Sequence, residues 1–229
     1  MANLNIPNTK DRTLDQFKGR MLGGGARPNL FECELFFPSD SIPVGTTEDA
    51  LSDKTRFLVK AANLPASTLG VIDIPFRGRN LKIAGDRTFD PWTITVINDS
   101  DFIVRTAFER WMNLINKHED NAGKNNPVDY QKEVYVKQFG RAATNGSTPT
   151  SATQIPVLKQ YKFYGVFPTS VSDIALSYDS SDTIEEFTVD LQVQWWDALD
   201  STGKTILGTG GSEDFISTST SAEAGISFG

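Results

Sequence analysis

Catalysis by acid, base, nucleophile or metal needs reactive side chains in sets, and this chain supplies them singly. Cys33 is the only cysteine and His118 the only histidine. An intrachain disulfide, a cysteine-based zinc site and a Ser/His or Cys/His nucleophile therefore have little to be built from. Cys33 alternates with Phe31, Leu35 and Phe37, as a buried packing residue does. His118 stands beside Glu119 and Asp120 just after a predicted helix, where a solvated histidine is expected. Gly203-Lys204-Thr205 resembles the end of a phosphate-binding loop, but Ala198 occupies the position of the required earlier glycine. Gly23–Gly25 precedes no predicted helix and reads as a hinge. Glu185 and Glu186 are neighbours on a predicted strand, so their side chains point to opposite faces and cannot converge as an acid/base pair. Arg77 and Arg79 share a face and could grip phosphate, although partners on an adjacent subunit suit them better. Asn145-Gly146-Ser147 fits the glycosylation pattern, but no secretory signal is expected to bring it into use.

The elements around these residues are mostly strands. Residues 1–29 read as an irregular N-terminal arm. Leu30 to Phe37 alternates, with Glu32 and Glu34 opposite Phe31, Cys33 and Leu35, which marks a sheet with one buried face. The Ser/Thr/Asp/Gly segment 39–55 reads as a loop, long enough to contact another chain. Strands are predicted over Arg56–Asn63, Leu69–Ile74, Phe76–Ala84 and Trp92–Ile97, with Gly78 as a bulge or close approach and Gly85-Asp86 as a turn. A helix over 101–117 follows, capped by Asn98, Ser100 or Asp101, with Val104, Phe108, Trp111 and Ile115 on one face. Strands over Tyr130–Phe139 and Leu158–Phe167 flank a second Ser/Thr/Gly loop, Gly140 to Thr153. In the last strand, Glu185–Trp196, Phe187, Val189, Leu191, Val193 and Trp195 face the core. Thr188, Asp190, Gln192 and Gln194 form a polar face with one charge and no long side chain, as a smooth wetted surface requires. Three parts result: the arm 1–29, a β domain over 30–199, and a Ser/Thr/Gly-rich extension over 200–229.

A chain of 229 residues with 15 Phe and 4 Trp can bury a substantial core. No run approaches the roughly 20 apolar residues of a membrane span, and the N-terminus lacks the apolar centre of a signal peptide. Synthesis in the cytoplasm is expected. The net charge is −7, which makes the chain a poor generic nucleic-acid binder, since phosphate affinity needs clustered cations. Residues 1–27 carry Lys10, Arg12, Lys18, Arg20 and Arg27 against Asp11 and Asp15, a net +3. Residues 197–229 carry Lys204 against Asp197, Asp200, Glu213, Asp214 and Glu223, a net −4. These ends are either two solvated tails or complementary surfaces that meet on neighbouring subunits.

The block LPASTLGVIDIPFRGRNLKIAGDRTFDPWTITVINDSDFIVRTAFERWMN resembles the tail tube protein of contractile-tailed bacteriophages. ARPNLFECELFFP and YKFYGVFPTSVSDIALSYDSSDTIEEFTVDLQVQWW extend the resemblance to about residues 26–196. It implies a mainly β, antiparallel sandwich or barrel-like domain with one packed helix, and sheets that join between subunits into a hexameric-ring β-barrel. Rings would stack into a hollow tube inside a contractile sheath and conduct viral DNA into the host. Closing sheets around a ring removes exposed strand edges, and head-to-tail contacts suit rings and stacks.

On this reading the protein is no enzyme and needs no cofactor or metal. Its implied partners are itself, the tail sheath protein, the baseplate tube initiator, the tail terminator and the tape-measure protein. DNA would pass without specific binding, so Thr188, Asp190, Gln192 and Gln194, with Glu32 and Glu34, are candidates to line the lumen. Lys10, Arg12, Lys18, Arg20, Arg77, Arg79, Asp200, Glu213 and Asp214 are candidates for contacts between subunits. Phe108, Trp111, Phe187, Leu191 and Trp195 are assigned to the core. Alternatives are the baseplate tube initiator, the inner tube of a phage-like secretion or toxin machine, a β-rich hydrolase, and a monomeric binding module.

Overall fold

Alternation of large apolar and polar residues builds a body of seven strands, and the computed structural model describes it within residues 14–20, 25–141, 155–200 and 205. The strands are β1 (Phe31–Leu35), β2 (Val59–Ala62), β5 (Trp92–Ile97), β6 (Lys132–Phe139), β7 (Val157–Val171), β8 (Glu186–Gln192) and β9 (Trp195–Leu199). β3 (Ser67–Phe76) and β4 (Arg79–Phe89) form a separate two-stranded ribbon. All pairings are antiparallel. The body runs β1-β6-β7-β8-β5-β2, with β9 also on β7.

β7 is long enough to serve two sheets. Its first part pairs with β6 and β9, and its second part with β8. The change falls at Gly165, whose φ of 62° lies in the left-handed region. A Cβ there would come within 2.5 Å of Gln194 Cγ. Across the core the two sheets meet where Trp92 of β5 stacks on Phe163 of β7, with ring centroids 4.7 Å apart.

Helix α3 (Ile103–Ile115) braces the sheets with Val104, Ala107, Phe108 and Trp111, all buried. Phe37 meets Phe108 and Trp111 edge-on at 5.2 and 5.5 Å. Trp111 Nε1 donates to the Tyr130 carbonyl at 2.7 Å, so the largest buried side chain keeps no unpaired donor. Tyr130 ends the short helix α4 (Pro127–Tyr130).

Several boundaries differ from the sequence expectation. The arm contains helix α1 (Leu14–Arg20). The expected loop 39–55 holds helix α2 (Glu48–Leu58), capped by Thr47, whose side chain accepts from the Ala50 amide at 3.3 Å. Its buried positions are Leu51, Ser52 and Thr55, too polar a stripe to show as helical periodicity. Because α2 continues to Leu58, the strand expected from Arg56 shortens to Val59–Ala62. α3 begins after Phe102, in the left-handed conformation, with no side-chain cap. Asp99 and Asp101, near the expected cap, instead accept from Lys54 at 2.8 and 3.0 Å.

The expected strand Glu185–Trp196 is two strands, because the chain leaves one sheet at Val193-Gln194 and enters the other as β9. The alternation slips at that crossing. Phe187, Val189, Leu191 and Val193 are buried, whereas Trp195 is 38% exposed and stacks on Tyr164 at 3.8 Å. Trp196 turns inward in its place, against Tyr161 and Phe89. The core assignment of Trp195 is thereby corrected.

Candidate functional site

Among the described residues no layer covers the β3–β4 ribbon. Arg77 and Gly78 join its strands with φ of 45° and 84°, a two-residue turn with both dihedrals positive. Gly78 therefore belongs to the turn and not to a bulge. The bulge lies where Gly70 faces Gly85 and Asp86, since a Cβ on Gly70 would sit 3.2 Å from the Asp86 carbonyl. Pro75, expected to break the strand, is carried inside β3, because a strand of a two-stranded ribbon has an unpaired edge.

The register sorts the ribbon's side chains. Ile72 faces Ile83, Ile74 faces Leu81, and Phe76 faces Arg79, so these six share one face. The other face carries Val71 with Ala84, Asp73 with Lys82, and Pro75 with Asn80. The first face is thus apolar, yet Ile72, Phe76 and Leu81 are 54%, 65% and 59% exposed. Arg77 lies over the Phe76 ring at 5.4 Å. At the ribbon's base, Trp92 Nε1 donates to the Asn63 carbonyl at 2.7 Å and Trp196 Nε1 to the Ala66 carbonyl at 3.2 Å. Two indoles of the body therefore hold the root while the apolar face stands in solvent.

A second surface is the outward face of β5 and β8. Thr93 faces Asp190 and Thr95 faces Thr188. Thr93 Oγ1 donates to the Asp190 carboxylate at 2.6 Å, and Thr169 Oγ1 to the Asp190 carbonyl at 3.1 Å. Lys60 Nζ reaches Glu186 at 2.5 Å, which neutralises a cation beside this face. Gln192 ends β8 on the same side, but Gln194 lies in the crossing to β9, where its amide donates to the Tyr164 carbonyl at 3.1 Å.

Glu32 and Glu34 belong to β1, in the other sheet. Both pair with Arg56 of α2 and with Lys137 of β6. Burial pushes the Glu34 carboxyl up, but hydrogen bonds and charge from Lys137 and Arg56 outweigh it and hold it below its ordinary value. β1 pairs with β6 and β8 with β5 and β7, so Glu32 and Glu34 stand apart from the β5–β8 face. Sequence reasoning missed the role of Arg56, because it placed that residue on a strand.

Of the proposed contact residues, Arg77 sits in the ribbon turn and Arg79 beside Phe76. Lys18 lies in α1, 3.8 Å from Asp15, and Arg20 ends that helix. Asp200 follows β9 and is half-buried. Lys10, Arg12, Glu213 and Asp214 lie outside the described residues, as does Gly203-Lys204.

Among the described residues no cluster of His, Cys, Asp and Glu could hold a metal ion. Burial pushes the Cys33 thiol up to about 12, which leaves it a packing group. Glu185 accepts from Asn98 at 2.9 Å while Glu186 takes Lys60. Among the described residues no helix is long and apolar enough to cross a membrane.

Two packed antiparallel sheets, a bracing helix and a projecting apolar ribbon define a mainly β class of protein with few helices. The cryo-EM structure of the anti-feeding prophage cap has this fold, with a TM-score of 0.50 and 15% identity, covering 77% of this chain and 91% of that one. The family described as phage tail tube protein matches residues 26–198, and the chain belongs to it. The tail tube protein gp19 of Enterobacteria phage T4 is 31% identical over 175 residues, covering 76% of this chain and 93% of the relative. The tail tube protein of Serratia phage KSP90 is 29% identical over 182 residues, covering 79% and 93%.

Proposed function

We propose that this protein is the repeating subunit of a contractile phage tail tube, stacking as six-membered rings around a channel for viral DNA. The observation that carries this reading is the ribbon's apolar face, which a lone subunit leaves in water. Each large apolar side chain fully buried contributes roughly 1.5–3 kcal/mol, so covering five of them by another chain favours assembly strongly. β1 and β2 end the strand order of the body with one neighbour each, which supports continuation of the sheets into adjacent subunits.

The β5–β8 face is the proposed channel lining. Its side chains are short and neutral except Asp190 and the paired Lys60–Glu186. A surface of this kind offers passing phosphates no cationic partner to break from. Thr188, Asp190 and Gln192 stay in this assignment, and Thr93 and Thr95 join them. Gln194 stands at its margin, and Glu32 and Glu34 leave it. The chain would be made in the host cytoplasm and work in the virion tail without catalysis. Sheath, tube initiator, terminator and tape-measure proteins would be its other contacts.

Negative-stain microscopy of the purified protein tests this. Hollow filaments of uniform width are expected, and a monodisperse monomer at every concentration would overturn it. A second reading, a single-ring component at an end of the tube, draws on the likeness in fold to the anti-feeding prophage cap, which terminates a tube. That reading predicts rings that never lengthen.

A further inference from the structure

The ribbon's apolar face needs an occupant, and the chain carries a surface that is partly apolar and opposite to it in charge. The segment 172–186, between β7 and β8, contains Asp173, Asp179, Asp182, Glu185 and Glu186 and no Lys or Arg, a net −5. The ribbon, Ser67–Phe89, contains Arg77, Arg79, Lys82 and Arg87 against Asp73 and Asp86, a net +2. Segment 172–186 also bounds a groove of about 300 Å³, lined in part by Ile174, Leu176 and Ile184. Leu176 is 80% and Ile184 71% exposed, so the subunit's own ribbon does not cover them. Asp173, Asp179 and Asp182 form no ion pair among the described residues, and neither do Arg77 and Arg79.

We infer that the ribbon of one copy docks its Phe76 end into the 172–186 groove of a second copy. Phe76 would meet Leu176 and Ile184, while Arg77 and Arg79 would meet Asp179 and Asp182, which lie in the same segment beside the groove's lining. The inference rests on the tube reading and names the surface through which its subunits join. The contact is heterologous: a patch meets a different patch, as rings and open stacks require. Opposite charge around an apolar centre would give register and fast encounter, and the apolar pairs would hold the contact.

A charge-swap series on the full chain tests it. Arg77→Glu with Arg79→Glu should raise the concentration needed for assembly about tenfold or more, and so should Asp179→Lys with Asp182→Lys. The chain carrying all four changes should assemble within about threefold of wild type, because the attraction is restored with its sign reversed. Normal assembly of the Asp179→Lys/Asp182→Lys chain, or failure of the fourfold chain to recover, would overturn the docking assignment and leave the tube reading intact. A wild-type chain that never assembles would overturn both. Should the lysine variant fail to fold, Phe76→Cys with Leu176→Cys decides. Oxidation should then yield disulfide-linked multimers on a non-reducing gel, with Cys33 sealed in the core as a silent thiol, and only monomers would sink the proposal.

Discussion

Ile72 and Ile94 are both isoleucines in antiparallel strands, yet Ile94 is fully buried and Ile72 is 54% exposed. The same contrast separates the whole ribbon from the whole body. In the body, the buried apolar strand faces pack against a second sheet or α3. In the ribbon, a face of the same composition finds water. A two-stranded hairpin is at best marginally stable alone, so this one depends on its root at Trp92 and Trp196. The body's apolar residues stabilise the subunit, and on the proposed reading the ribbon's would stabilise the assembly.

The largest effect expected in the body is from Trp111→Ala. It removes a fully buried side chain packed on Phe37 and Phe108, together with the hydrogen bond to Tyr130. Denaturant unfolding of the monomer should show a loss of about 3–5 kcal/mol. A loss below about 1 kcal/mol would mean that α3 is not the brace described here.

Next is Gly165→Ala, at the residue where β7 passes between sheets. The left-handed backbone costs a side chain about 1–2 kcal/mol, and Gln194 stands 2.5 Å from the new Cβ. Trimming Gln194 to Ala should relieve the contact but not the backbone cost, so the double variant should recover only part of the loss in thermal melts.

Glu34→Gln comes third, at about 1 kcal/mol, with a signature in pH. The folded carboxyl sits below its ordinary value of 4.5, so its contribution is present above that value and fades as pH falls through the lower folded one. Wild type and variant should therefore differ near neutral pH and converge in acid. A constant gap across pH would assign the loss to packing instead.

What the sequence made legible follows from how each residue signals. Alternation revealed β1, β5 and β8 because each has one buried face, and the i, i+4, i+7 spacing revealed α3. α2 stayed hidden because Ser52 and Thr55 fill its buried stripe, although Thr47 followed by Glu48 and Asp49 is a helix-start signal. The parity slip at Val193-Gln194 was illegible because both sides of it read as strand, and only the change of sheet turns Trp195 outward. The polar face of β8 was visible from spacing alone. Its partners Thr93 and Thr95 were not assigned, since register between distant strands is a tertiary fact. The ribbon was seen as two strands, but that it stands free could not be read, because the same alternation would mark a covered sheet.

The smallest effect on the subunit is also the sharpest test of the contrast. Ile72→Thr with Ile74→Thr keeps β-branching and strand propensity while removing apolar surface from the exposed face. Both side chains are about half exposed in the lone subunit and outside its core, so monomer stability should move by no more than about 1 kcal/mol. Assembly should fall sharply, because the surface lost is the surface another chain would cover. Amide exchange supplies the matching observation: ribbon amides should exchange far faster than those of β5 and β8 in the monomer, and slow markedly in filaments. If the double variant melted several kcal/mol earlier as a monomer, the ribbon would be part of the subunit's own core. If it assembled normally, the apolar face would have no structural task. Only neutrality in the monomer together with loss in the assembly fits a face whose burial is completed by another chain.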